Sequence, residues 1–508
     1  MKNEFIKKYE KNISGVLSCY DRVVIKGTLH TACFADGMMS IMNRNHTKYK
    51  YYRSFVSPYR DKIYKNTEQL SKQTQVPIQF IRNSRAVRKE DLVQSELEIR
   101  GNHPGLVCIL SAMEKCNNYR YNYNKQTGES KLISVKGRCL HYYFYFLDDY
   151  LGLCYLRVPT WCPFQLQFYF NAHNWLALQL DKAGIAYEQR DNAFVHIADY
   201  EKAQSLSDSF DVKKLHQLFE NYALKYCPSA FELSVVGYHW SIMQLEYATD
   251  IVFKDAKTLG PIYDEILKTM MHTVTPDDVA RFLGRKYLHG KNKMDLDTTY
   301  KQVKRQEMRR LKHVMGASSV KMYDKFGQVL RIETTTNDTT NFSHYRSVDH
   351  RDGTKTSKVA PVKKSIYSLK GLIPIMKGCN FRYLTFIAAI DAPISGQKRL
   401  QKITKSTKVN NRSYKGFNFF DPDDEKLLFT IAKGDFCIKG FSNKDLRKFI
   451  PDKSTAQISR ILKRLKVKGL IKKIGKSYRY YMSTLGRKTV NTALKIKELF
   501  IVQNLDYA

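Results

Sequence analysis

Acidic residues are scarce in this chain relative to basic ones: 48 Asp and Glu stand against 85 Lys and Arg in 508 residues, a formal net charge of +37. Self-repulsion on that scale disfavours a compact state unless a polyanion is met part of the time, which points to nucleic acid. Long apolar runs are missing as well. No stretch reaches the roughly 18 residues that a membrane helix requires; the most apolar segment, HYYFYFLDDYLGLCYLRV, is interrupted by Asp148 and Asp149 and has the pattern of two strands. The opening MKNEFIKKYEKN lacks an apolar h-region, so a cytoplasmic protein with no secretory signal and no membrane contact is expected. None of the ten cysteines falls in a CxxC pair. The best zinc cluster on offer, Cys139, His141, Cys154 and Cys162, lies on strand pattern, so reduced thiols in a core are expected instead. A P-loop is absent too: GLIKKIGKS, from Gly469, has one residue more between its glycines than that loop and follows a helix, so no nucleotide cofactor is indicated.

What is present is a globular composition, 43% hydrophobic and 13% aromatic, long enough for several domains. The expected class is mixed α/β (α+β), with a mixed or antiparallel sheet. Residues 1–130 form a basic and aromatic region, in which YDRVVIKGTL (20–29) has the run of a strand. After it, NRNHTKYKYYRSFVSPYRDKIYKN interleaves rings and cations in a way that suits single-stranded nucleic acid, or else forms a solvated helix face. Residues 131–395 form the core, with key strands at 241–253 and 328–336. Between these strands, DEILKTMMHTVTPDDVARFLGRK and YKQVKRQEMRRLKHVMG suggest a helix-rich insert. The stretch 396–416, poor in apolar residues and without period, is expected to be a linker.

From 417 to 508 the pattern is helix, helix, helix, hairpin. The third helix starts at the N-cap Ser454 and stops at Gly469, and the hairpin turns at Gly475. Residues 401–508 hold 25 basic and 9 acidic side chains. That order resembles the winged helix-turn-helix of MarR-like regulators. The resemblance implies duplex DNA as partner, with the third helix in the major groove and Ser454, Gln457, Arg460, Lys463, Arg464, Lys472, Lys473, Lys476 and Arg479 toward the DNA.

In SIMQLEYATDIVF, alternation puts Gln244, Glu246 and Asp250 on one face and Met243, Leu245, Tyr247 and Ile251 on the other; in VLRIETT, Arg331 and Glu333 share a face. If the two strands are neighbours, Glu246, Asp250 and Glu333 form a carboxylate cluster that suits Mg²⁺ or Mn²⁺. LEYATDI, followed by MYDK and LRIE, resembles the core of the tyrosine-dependent rolling-circle replication initiators of plasmids and phages, over about residues 238–350. Glu246 stands where that family commonly has Asp, and no His-x-His motif is present. The resemblance implies a DNA nicking and joining enzyme, such as a replication initiator or a transposase-like protein of a mobile element. Tyr345 would be its nucleophile, aided by His344 and His350, with Lys321, Lys325, Arg331 and Arg346 on phosphates. A second enzymatic reading starts from Asp21, which with Asp148, Asp149 and Glu246 is similar to the acids of ribonuclease-H-like metal nucleases. The remaining alternatives are a non-catalytic winged-helix regulator and an RNA-binding protein, and a homodimer is compatible with each.

Overall fold

In the computed structural model, residues 3–82, 88–101, 103–233, 236–285, 296–303, 307–390, 400–433, 436, 440–475 and 477–497 are described. The chain divides into two compact units, Met1–Asp391 and Ala392–Ala508.

The first unit is built on β1 (Ile13–Leu29), β2 (Ile78–Phe80), β3 (Gly105–Tyr123), β4 (Ser130–Asp148), β5 (Gly152–Pro159), β6 (Leu166–Asn171), a separate hairpin of β7 (Tyr187–Arg190) and β8 (Ala193–Ile197), then β9 (Tyr238–Phe253), β10 (Leu296–Val303), β11 (Met308–Met315), β12 (Ser318–Lys325) and β13 (Val329–Thr336). Eleven of these make one mixed sheet, ordered β10-β11-β12-β13-β9-β1-β6-β5-β4-β3-β2. Its described pairings are antiparallel except β2 with β3. Long β1 and β9 lie at its middle, so the two strands singled out from sequence, β9 and β13, are direct neighbours.

Strand alternation sorts the side chains. Leu245, Tyr247 and Ile251 of β9 join Leu330 and Ile332 of β13 and Val320 and Met322 of β12 in the main core. The helix Leu369–Ile390 packs over that face, where Asn380 accepts from Thr334 (2.7 Å) and donates to Tyr247 O (3.0 Å). On the opposite face the polar residues of the same strands gather. The β7-β8 hairpin covers part of them, with Val195 against Val252 and Val329. The helix Ala172–Lys182 starts where β6 ends: the Asn171 side chain caps it by accepting from His173 N, and the chain leaves past Gly184 in the left-handed region (φ 65°).

Three expectations change. The division at 130 falls inside the β3-β4 hairpin, whose strands pair from Gly105↔Leu147 to Tyr123↔Ser130, so both sides belong to one sheet. The described residues of YKQVKRQEMRRLKHVMG are strand and turn, not helix: β10 and β11 pair from Leu296↔Met315 to Val303↔Met308. Its Lys, Arg, Gln and Met favour helix in isolation, but pairing with β12 and burial of Leu311 and Met315 override a preference worth only tenths of a kcal/mol per residue. The stretch 396–416 is not a bare linker. Residues 396–399 lie outside the described ones, but Thr407–Val409 and Arg412–Tyr414 form a short hairpin and Ile403 is buried in the second unit's core. The aromatic and basic stretch that follows β1 contains the helix Tyr52–Thr74, with Tyr52, Val56 and Ile63 turned inward.

The second unit runs through helices Pro422–Ile431, Asn443–Phe449 and Thr455–Val467, a hairpin of Ile471–Lys473 with Tyr480–Met482, and a further helix, Thr484–Ile496, that the sequence reading does not include. Phe441 bridges to Tyr480 beside the hairpin. Capping boxes at Ser442/Asp445 and Ser454/Gln457 start two of the helices. Gly469 (φ 76°) ends the third, and Gly475 (φ 55°) lies in the hairpin turn, as expected from sequence. No helix among the described residues is long and apolar enough to cross a membrane.

Candidate metal centre

The polar face of the central strands carries four carboxylates, Asp21, Glu246, Asp250 and Glu333, with Arg331, Lys321 and Lys325 among them. Register explains most of this. Arg331 sits opposite Asp250, Glu333 opposite Ala248, and Lys321 opposite Glu333. Asp21 arrives differently. Along β1, Tyr20 pairs with Tyr247 and Val23 with Leu245, so Asp21 and Arg22 together oppose the single residue Glu246. This β-bulge re-aims the strand and sets Asp21 beside Glu246.

Oxygens of Asp21, Glu246 and Glu333 then lie within 4.8 Å of one another. Asp21 and Glu333 are buried and Glu246 is partly exposed, so the cluster meets solvent on one side only. Lys321 Nζ is 2.6 Å from Glu333 Oε1 and 3.0 Å from Glu246 Oε1, and Tyr323 Oη donates to Glu333 at 3.4 Å. Burial, together with repulsion from Glu246 and against the pull of Lys321, raises the Glu333 carboxyl to about 7. Burial would lower Lys321, but the charges of Glu333 and Glu246 win and hold it above its usual range.

Asp250 does not join the cluster. It is bound by Arg331 through Nε (2.6 Å) and Nη2 (2.7 Å). Burial alone would raise its carboxyl, yet the guanidinium holds it at about 2. Strand geometry gives the reason: Glu246 and Asp250 share a face but stand four residues, roughly 13 Å, apart along β9, too far to share one ion. Asp21 takes the expected place of Asp250. The reading that began at Asp21 and Glu246 thus names two of the converging acids, whereas Asp148 is engaged elsewhere, accepting from Tyr222 and from the backbone of Tyr150 and Leu151.

Arg331 is completely buried and also reaches Asp21 (3.2 Å), Asn192 O (2.6 Å) and His173 Nε2 (3.0 Å). His173 sits between Arg331 and Asp21, its Nε2 3.0 Å from Arg331 and its Nδ1 3.2 Å from Asp21 Oδ1. Asn171 and Asn192 donate to Asp21 as well. Burial works to raise the Asp21 carboxyl, but Arg331 and these partners hold it well below the usual carboxylate range.

Of the cations expected on phosphates, Lys321 and Arg331 are therefore held by internal acids, and Lys325 is buried against Asn192 and Asp191. Arg346 donates to Pro361 O and Ser347 O. Tyr345 is 71% exposed on a two-stranded ribbon of β14 (Ser343–Asp349) and β15 (Lys355–Pro361), outside the main sheet. His350 bonds Thr356 on that ribbon, and His344 lies beside Gly371. No hydrogen bond or ion pair joins Tyr345, His344 or His350 to the acids. The zinc reading is also set aside by geometry: Cys139 and His141 are neighbours, but Cys154 contacts Phe146 O and Gly152 O and Cys162 contacts Met38. All nine described cysteines are free thiols.

In the second unit, Arg460, Lys463, Lys472, Lys473 and Arg479 are exposed. Arg464 is not a surface cation: it forks onto Asp424 (2.8 and 2.9 Å), donates to Lys415 O and stacks over Phe417. Ser454 and Gln457 spend their side chains on the capping box, and Lys476 lies outside the described residues.

The donor set fits a hard divalent cation. All three converging groups are carboxylates, which suits Mg²⁺ or Mn²⁺, with Lys321 as the competing internal cation. Comparison of the chain with protein-family models, with curated proteins and with solved structures returns no match.

Proposed function

We propose that the first unit cleaves or transfers phosphodiesters of nucleic acid with a divalent cation held by Asp21, Glu246 and Glu333, and that the second unit is a winged helix-turn-helix that holds duplex DNA. The observation that carries the first part is the convergence of these three acids from three adjacent strands, in a protein of charge +37. A divalent cation there would neutralise the anionic oxygens of a phosphodiester and polarise its phosphorus. The protein's own groups supply the rest. Glu333, with a carboxyl near 7 in the metal-free chain, gives up its proton as the cation binds. Arg331 and Asn192 fix the Asp21 carboxylate, and Lys321 neutralises Glu246 and Glu333 until a divalent cation takes its place. For the second part, the support is helix order and the exposed cations of the third helix and hairpin.

The test is incubation of the full chain with end-labelled single-stranded and supercoiled DNA, and with RNA, in Mn²⁺ or Mg²⁺. Metal-dependent cleavage that Glu246→Gln reduces at least a hundredfold is expected. Cleavage indifferent to Glu246→Gln and Asp21→Asn, or none on any substrate, overturns the proposal. Denaturing gels of the same reactions identify the nucleophile: label that stays on protein and disappears in Tyr345→Phe assigns the attack to Tyr345, as in the tyrosine-dependent initiators, and label only on free nucleic acid assigns it to water.

A further inference from the structure

Next to the acids, on the same face of the sheet, lies a cavity of about 500 Å³. Its wall is tyrosine: Tyr143, Tyr145, Tyr155 and Tyr169, from β4, β5 and β6, all line it. Tyr155 and Tyr169 stack face to face (centroids 5.0 Å, 20° apart). At the acid end stand Asn171 and Asn192, the two amides that donate to Asp21, so cavity and acid cluster share a wall. At the far end Lys89 lies over the Tyr143 ring at 3.3 Å and pairs with Glu114, closing that side.

Arg22 is the unexplained member. It lines the cavity with its guanidinium over the Tyr169 ring at 5.1 Å. Its Nε is buried with no hydrogen-bond partner, and no described carboxylate pairs with it. Lys89, the other cation lining the cavity, pairs with Glu114, and Lys321, Lys325, Arg331 and Arg157 are each held by an acid or an amide; Arg310, opposite Tyr323 on β11, also has a buried Nε without a partner but does not line the cavity. An arginine kept without an anion, stacked on a ring beside a metal-type cluster, fits a ligand that brings both an anion and a flat ring.

We propose that this cavity binds a single nucleotide, its base against the Tyr155 and Tyr169 rings and its phosphate on Arg22, directed toward Asp21, Glu246 and Glu333. The volume is in the range of small-molecule sites, and aromatic rings hold bases by stacking without regard to sequence. Asn174, whose Oδ1 is engaged by Gln189, can turn its amide to a base edge. The proposal rests on the cleavage reading for its meaning, but not for its test.

The experiment is calorimetric titration of the full chain, in EDTA, with the four deoxynucleoside 5′-monophosphates and the matching nucleosides. Saturable binding of a monophosphate in the micromolar to millimolar range is expected, with Arg22→Gln weakening it at least tenfold while leaving the weaker nucleoside binding unchanged, and Tyr169→Leu weakening both. Circular dichroism of each variant checks that the fold is kept. No saturable binding up to 10-fold above the millimolar range, or binding that neither variant alters, overturns the proposal. Because no metal is present, nucleotide binding without any cleavage activity would refute the cleavage reading and leave the pocket standing, and cleavage without nucleotide binding would do the reverse.

Discussion

Lys321 stands between Glu333 and Glu246, 2.6 Å from one carboxylate and 3.0 Å from the other. It occupies electrostatically the place a divalent cation would take. Lys321→Met removes this competitor and leaves the carboxylates in place. Mn²⁺ affinity, followed by calorimetry at pH 8, is expected to rise about tenfold in the variant. Weaker Mn²⁺ binding would mean that Lys321 organises the acids for the ion instead of competing with it.

Glu333 sets the pH dependence. Its carboxyl is raised from 4.5 to about 7, so between those values the folded chain binds more protons than the unfolded chain, and stability falls as pH rises through this window, by about 3 kcal/mol from this one group. Glu333→Gln should flatten that part of the stability profile in urea titrations from pH 4.5 to 8. Metal binding needs the ionised form, so in the parent chain Mn²⁺ affinity should climb about tenfold per pH unit below 7 and level off above it. A wild-type slope that Glu333→Gln does not change would place the titration on another group.

Arg331 and Asp250 form a pair with almost no solvent access. Losing one partner leaves the other charge buried and unpaired, so Arg331→Met should cost about 3–5 kcal/mol, read as a lower urea midpoint with the slope of the transition unchanged. Asp250→Asn should also destabilise, and it should do so most above pH 4, because the carboxyl held at about 2 contributes above its ordinary 3.8 and loses that contribution as pH falls toward 2.

If the second unit holds duplex DNA as proposed, Arg464 should separate folding from binding. Arg464→Ala should lower the unit's stability by about 2 kcal/mol through loss of the fork onto Asp424, measured by thermal melting, with little change in the salt dependence of duplex binding. Lys472→Ala with Lys473→Ala should do the opposite, lowering the slope of log affinity against log salt by about 2 while leaving the melt in place.

Alternation alone made much of the centre legible. It predicts the facing of Glu246, Arg331 and Glu333, and β9 and β13 are indeed paired. The choice of third acid was not legible, because counting by twos cannot see a bulge: nothing in YDRVV marks the place where two residues oppose one, and without that shift Asp21 is an ordinary strand acid. Distance along the strand could have excluded Asp250 beforehand. The strands β10 and β11 were hidden for another reason. Their residues suit helices, and the burial of Leu311 and Met315 that decides the matter depends on partners distant in sequence. In the second unit, caps and glycines are local signals, and there the helix bounds at Ser454 and Gly469 follow directly from sequence.

The bulge in β1 has one more effect. Asp21 and Arg22 are consecutive, so the acid that would hold the ion and the guanidinium that would hold the nucleotide phosphate are separated by a single peptide unit, with Cα atoms about 3.8 Å apart. Covalent backbone geometry then fixes the spacing of their Cα atoms, as a ruler with one division, and packing has only to set the side-chain torsions. Mutations elsewhere can loosen the pocket or weaken the cluster, but only an insertion or deletion at this point could change the length of the chain that links them.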